Sequence, residues 1–217
     1  MNKELIIKKT EEFVKNKLKG EGSGHDWWHI HRVHKNAIRI AKEEDVDLFV
    51  VQLAALLHDI ADWKFHSGDL SVGPKIARGY LESLNVDENT ISHVCEIIKE
   101  ASFKGAGVKL KMKTKEGMVV QDADRLDAIG AIGVARTFAY GGNKNRQIYD
   151  PNIKPEKHET AEQYINSEGT TINHFYEKLL LLKDLMNTET AKKIAEERHK
   201  FMEQFLERFY NEWESKA

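Results

Sequence analysis

Apolar positions recur along most of this chain at the three- and four-residue spacing of helices, and alternating strand-like runs are almost absent. A first helix is predicted over about Lys3–Lys19, with Leu5, Ile6, Phe13 and Val14 as its apolar contacts, before Gly20, Gly22 and Gly24 break it. A second begins near Trp27 or Trp28 and runs to about Glu44. Its Val33, Ala37, Ile40 and Ala41 fall at i, i+4, i+7 and i+8 and mark one buried face. A third, about Leu48–Asp62, is apolar on nearly every side from Leu48 to Leu57, the pattern of a wholly buried helix. Helices over about Val72–Leu84 and Asp87–Ala101 follow. Val108, Leu110 and Met112 alternate with lysines and suit a short hairpin. A long helix is then predicted from Glu116 to Tyr140, ended by Gly141-Gly142, and a polar loop reaches about Glu156. Two long helices finish the chain, the last with a stripe of Phe201, Phe205, Phe209, Leu206 and Trp213 that reads as core. The expectation is an all-α protein of seven or eight helices without repeats or a linker, forming a single domain over 1–217.

Composition narrows the classes. The 217 residues are 41% hydrophobic and 31% charged, enough for a substantial core in one soluble domain. A net charge of −2 gives no reason to expect a nucleic-acid partner. No apolar run approaches the roughly 18 residues that span a bilayer, and the N-terminal segment is charged throughout, so a cytoplasmic location without membrane contact is the expectation. Cys95 is the one cysteine; it lies among Ile91, Val94 and Ile98 and reads as a buried structural thiol. Any metal must therefore be held by nitrogen and oxygen, and ten histidines are available.

The chemistry concentrates in three places. His29 sits one turn before Val33, at the edge of the buried face of the second helix, with His25, His31 and His34 as competitors. His58-Asp59 ends the buried helix, where an ionised carboxylate requires a partner: a neighbouring cation in a helix-end ion pair, or a metal. Asp124 sits in Asp122-Ala123-Asp124-Arg125-Leu126-Asp127. Two imidazoles and two carboxylates can hold one divalent ion and leave positions open for water and a phosphate oxygen, a combination suited to hydrolysis. Phosphate-loop, Gly-x-Ser-x-Gly and His-Glu-x-x-His motifs are missing.

The segments His29-Ile30-His31-Arg32-Val33, Leu56-Leu57-His58-Asp59 and Ala123-Asp124-Arg125-Leu126, in this order and at these separations, resemble the HD-domain superfamily of metal-dependent phosphohydrolases, in particular its small bacterial single-domain members. The resemblance covers a motif-bearing core of about 24–140, followed by C-terminal helices over about 155–214. It implies the helical HD-domain fold and a metal held by His29, His58, Asp59 and Asp124. Mn²⁺ is the first expectation, because octahedral coordination leaves two sites open; Ni²⁺, Co²⁺, Fe²⁺ and Zn²⁺ are alternatives, and Mg²⁺ suits paired imidazoles less well. Related hydrolases carry an acid, commonly Glu, at the place of Asp62, which makes Asp62 a candidate general acid/base, with a capping role as the alternative. Asp127, one turn after Asp124, orients a ligand or the attacking water, or else pairs with Arg125 or Arg32. Arg32 itself matches a family position that braces the site.

The resemblance further implies a nucleotide pyrophosphohydrolase: water attacks the α-phosphorus of a (deoxy)nucleoside triphosphate and pyrophosphate leaves. Hydrolysis of a nucleoside monophosphate, a cyclic nucleotide or an alarmone, and a nucleotide sensor without turnover, are the alternatives. The phosphates call for positive charge, and the candidate binding residues are Lys64, Ser102, Phe103, Lys104 and Arg136, with Lys104 on phosphate and Phe103 at the base. His93 is a lesser candidate near the site. The aromatic C-terminal stripe serves the core or a homodimer equally well.

Overall fold

A computed structural model describes residues 2–20, 26–61, 69, 71–101, 112–156 and 169–216. The elements run α1 (Lys3–Lys17), α2 (Trp27–Ala41), α3 (Leu48–Leu57), α4 (Val72–Ser83), α5 (Glu88–Ala101), α6 (Lys115–Asp127), α7 (Gly130–Asn143), α8 (Asn173–Glu177), a 3₁₀ helix (Leu179–Leu185) and α9 (Glu189–Trp213). No strand occurs among the described residues, so the fold is all-α as the periodicity predicts. Val108 and Leu110 of the suggested hairpin lie outside the described residues; Met112 is buried and not in a strand.

The chain divides into two compact units, residues 1–103 with 110–124 and residues 104–109 with 125–217. In the first unit α3 is the axis, packed against α1, α2 and α5, with α4 against α5. Its buried character is as expected except at its first residue: Leu48 is 43% exposed, while Phe49, Val50, Val51 and Leu53–Leu57 are at most 5% exposed. Asp47 caps its N-terminus by accepting from the N–H groups of Phe49 and Val50. The helix ends at Leu57 rather than at Asp62. The His58 ring donates from Nδ1 to the Ala55 carbonyl at 2.9 Å, taking the acceptor that the Asp59 N–H would use in a continuing helix, and Ile60 N–H closes a tighter turn on Leu57. Cys95 is half-buried, its thiol 3.4 Å from the Pro74 carbonyl, and burial pushes its pKa up.

The second unit corrects two expectations. The predicted helix over 116–140 is two helices, broken at Ala128-Ile129. Ala128 and Ile129 N–H groups bond three residues back, and arginine side chains take carbonyls of the last α6 turn, Arg198 that of Leu126 and Arg136 that of Asp127. Gly130 then turns the chain at φ +74°, where an added Cβ would meet Arg198 at 3.0 Å. Gly141-Gly142 does not stop α7. Gly141 is buried inside it, so close to Thr171 that a Cβ would lie 2.3 Å from its Oγ1.

Of the two long helices expected to finish the chain, the last is α9; the other was expected from about residue 156 and falls on 157–168, outside the described residues, after which the short α8 stops at Glu177, where Lys178 leaves helical geometry at φ −142°. On α9 the buried line is Ala191, Ile194, Ala195, Met202 and Leu206. Phe201 and Trp213 are exposed, and Phe205, Phe209 and Trp213 instead form an aromatic ladder with Tyr149 and Phe175. No helix among the described residues is long and apolar enough to cross a membrane.

Candidate metal centre

Three helices of the first unit bring the predicted cluster together. Asp26 is the N-cap of α2: its carboxylate accepts from the His29 N–H at 2.9 Å. An Asp directly before a predicted helix start is the signal that identifies it. The cap fixes His29 in the first turn, where its side chain points inward and is fully buried. His58 and Asp59 follow the last residue of α3. Asp124 is carried on α6, which Thr114 begins by accepting from Gly117 N–H and which Asn36 of α2 ties down through the Ala123 carbonyl at 3.4 Å.

His29 Nε2 lies 3.5 Å from Asp59 Oδ2 and 3.5 Å from Asp124 Oδ1. His58 Nε2 lies 3.5 Å from Asp59 Oδ2 and 3.9 Å from Asp124 Oδ1. The imidazoles meet edge to face, with centroids 5.4 Å apart. Ligand atoms of His29, His58 and Asp59 all fall within 4.8 Å of one another. The nitrogens form the floor, and the carboxylates, with side chains 19% and 33% exposed, form the open rim.

The chemistry of this donor set fits a divalent cation. A carbonyl only accepts, so the bond to Ala55 puts the proton of neutral His58 on Nδ1 and leaves a lone pair on Nε2. That buried Nε2 has no hydrogen-bond partner among the described residues, yet it faces two carboxylate oxygens. Lone pair against carboxylate is repulsive unless a proton or a cation stands between them. A backbone carbonyl behind the ring is the support that ligating histidines ordinarily have.

The other sequence candidates fall elsewhere or outside. His31 is half-buried against the rings of Trp27 and Trp28, 5.9 and 5.8 Å away. His34 is not at the surface; it is buried with Nε2 3.1 Å from Gln52 Oε1 and Nδ1 3.4 Å from Glu11. His93 sits 3.0 Å from Thr114 Oγ1 and 3.7 Å from Glu116, at the start of α6. In the second unit Asp127, almost wholly buried, accepts from Arg136 Nη1 at 2.7 Å, while Arg125 donates to the Leu185 carbonyl. Asp127 is thus paired with Arg136. Asp62, Lys64, Ser102, Phe103 and Lys104 lie outside the described residues, as does His25. Sequence reasoning missed two features of the centre, the Ala55 carbonyl that sets the His58 tautomer and the Asn36 tie to α6; neither backbone acceptor has a signature in side-chain identity.

An all-helical domain that gathers His, His-Asp and Asp around one point is the class that the fold and site define. Residues 27–129 match the HD domain family, and the chain belongs to it. The chain is 40% identical over 206 residues to the Bacillus subtilis protein YpgQ, covering 92% of this chain and 91% of that one. Its fold is similar to an HD-superfamily hydrolase from Bacillus thuringiensis, with TM-score 0.79 and 47% identity across 98% of this chain and 99% of that one. It is also similar to the crystal structure of YpgQ in complex with ADP, with TM-score 0.73, 33% identity in the structural alignment, and 95% and 97% of the two chains covered. The chain is therefore an HD-superfamily hydrolase, and its histidine–aspartate cluster is a candidate site for a divalent metal.

Proposed function

We propose that this hydrolase is a divalent-metal-dependent nucleotide phosphohydrolase that cuts (deoxy)nucleoside triphosphates to monophosphate and pyrophosphate, with His29, His58, Asp59 and Asp124 as the metal ligands and Mn²⁺ as the metal. The observation that carries the reading is the His58 lone pair, fixed by the Ala55 carbonyl and aimed at two carboxylates 3.5 and 3.9 Å away. When bound, a divalent cation supplies Lewis acidity toward a phosphoryl oxygen and lowers the pKa of water.

The chain's own residues supply the rest. Two carboxylates at the rim repel a polyphosphate, so substrate binding depends on their charge being neutralised. The histidines are buried, and the Ala55 carbonyl braces the His58 ring from behind, which holds the site's geometry. The acceptor of the proton lost by attacking water is assigned to Asp62, three positions after Asp59. Attack at the α-phosphorus breaks its bond to the oxygen shared with the β-phosphorus; pyrophosphate departs, and the water proton passes to the Asp62 carboxylate. Lys64 and Lys104 are assigned to phosphate, Ser102 and Phe103 to the sugar and base. Arg136, oriented by Asp127, is assigned to anion recognition, which makes Asp127 a positioning residue. The ADP complex of YpgQ supports a nucleotide as the ligand class.

The test is a panel of nucleoside tri-, di- and monophosphates, cyclic nucleotides and alarmones with Mn²⁺, assayed separately for pyrophosphate and orthophosphate. Pyrophosphate from triphosphates is expected. Orthophosphate alone would move the cut to the γ-phosphorus, and no turnover of any phosphate ester by metal-loaded protein would overturn the reading.

A further inference from the structure

The first turn of α2 holds a large aromatic side chain that stands in water next to a candidate metal ligand. Trp28 is 59% exposed, directly beside His29 in the chain. It is not a loose end of the helix. Asp26 caps the turn, and the indole lies edge-on to His31 with ring centroids 5.8 Å apart. A capped, ring-buttressed indole offers a flat π-face at small entropic cost.

Its direction follows from the helix. At about 100° per residue, the buried residues Ile40, Val33, Ala37 and Ile30 fan out on one side of His29, at about 20° to 100°. On the other side lie Asn36 at about 20°, Arg32 at about 60° and Trp28 at about 100°. Asn36 donates to the Ala123 carbonyl, so this second side faces α6, the helix that carries Asp124. Trp28 therefore stands on the solvent edge of the same flank of α2 that borders the metal centre, with half-buried Arg32 between it and His29. His29 to Arg32 and Arg32 to Trp28 are i,i+3 and i,i+4 steps of about 5–6 Å each. Two such steps match the reach of a nucleotide from a phosphate across its sugar to the base.

We propose that Trp28 is a nucleobase-stacking residue, a specificity element that receives the base of a substrate whose phosphates lie at the His29–Asp124 centre. This rests on the nucleotide reading given above and extends it. Every base has a π-face, so a stacking platform holds bases with little regard to their hydrogen-bonding edges. The substrate class is then nucleotides with any base, purines ahead of pyrimidines through their larger stacking area, and base-free polyphosphates bind poorly.

Trp28→Ala and Trp28→Phe, assayed with Mn²⁺ on dATP and on 2-deoxyribose 5-triphosphate, test this, with ADP affinity measured by calorimetry alongside. Trp28→Ala should raise the KM for dATP roughly 5- to 150-fold with kcat little changed, and Trp28→Phe should recover most of the loss. The KM for the base-free triphosphate should stay within about twofold. Active wild-type protein with an unmoved dATP KM in Trp28→Ala overturns the stacking role and leaves the nucleotide reading standing. Inactive wild-type protein sinks that reading instead; ADP affinity then decides, a fall in Trp28→Ala supporting the platform and an unchanged affinity overturning it.

Discussion

His58 uses both nitrogens of one ring, Nδ1 on the Ala55 carbonyl and Nε2 toward the carboxylates, and this double use makes it the most sensitive residue of the centre. Replacing it with Ala leaves Asp59 and Asp124 close to His29 without the second imidazole. His58→Ala is expected to purify without metal, by elemental analysis, and to lose hydrolysis by more than about 100-fold. His34 shows the opposite use of a buried imidazole. Burial lowers its pKa from 6.5, outweighing Gln52 and Glu11, which raise it, while Lys35 and His31 reinforce the lowering. A histidine with a depressed pKa is protonated more readily in the unfolded chain. Its contribution to stability is therefore full above about pH 6.5 and is lost as pH falls below it. The drop in Tm between pH 7.5 and 5.5 is expected to be smaller in His34→Gln than in the wild type, and equal drops would contradict this assignment. Spacing marked His29 as inward-facing but left His34 only a competitor for its place, because helical phase alone does not say how far a buried face extends.

The helices end by local chemistry that the apolar pattern does not carry. Among the described residues three that are not glycine have positive φ: Asn85, Asn145 and Ser215. Each follows the C-cap of α4, α7 or α9, and the next N–H bonds back to a carbonyl five residues earlier, Val86 to Leu81, Arg146 to Gly141 and Lys216 to Asn211. This is the Schellman closure, with asparagine twice where glycine is commonest. Asn85→Gly is expected to raise stability by up to about 1 kcal/mol, measured by urea unfolding, since glycine takes the left-handed conformation without a Cβ penalty. At the α6–α7 break the sign reverses. Gly130→Ala forces a Cβ onto φ +74° and against Arg198, and should cost about 1–3 kcal/mol. The long helix predicted from Glu116 failed at this point because the acceptors of its last turn are taken by Arg198 and Arg136, one of them far away in sequence.

At the scale of the whole molecule, the boundary between the two compact units falls inside α6, between Asp124 and Arg125. α6 thus contributes residues to both units. We expect one cooperative thermal transition, with calorimetric and van't Hoff enthalpies equal, in keeping with the single domain proposed from sequence; two resolved transitions would refute it. Metal binding should act on that transition by mass action. Chelation with EDTA should lower Tm and Mn²⁺ should restore it as its concentration rises, whereas His58→Ala should show neither shift.

By itself the sequence determined the helical class, the buried axis from Phe49 to Leu57 and the order His, His-Asp, Asp, because periodicity and residue type are properties of the chain alone. The Phe201–Trp213 stripe was visible too, but its division between core and surface was not, since burial depends on what packs against a face. Tertiary structure decided the rest: where α3 and α6 stop, which tautomer His58 holds, that Asp127 belongs to Arg136, and that Trp28 stands open beside His29. The helix ends and the His58 tautomer depend on backbone carbonyls, and the Asp127 pairing and the exposure of Trp28 on what the fold sets beside them; none of this is written in residue identity.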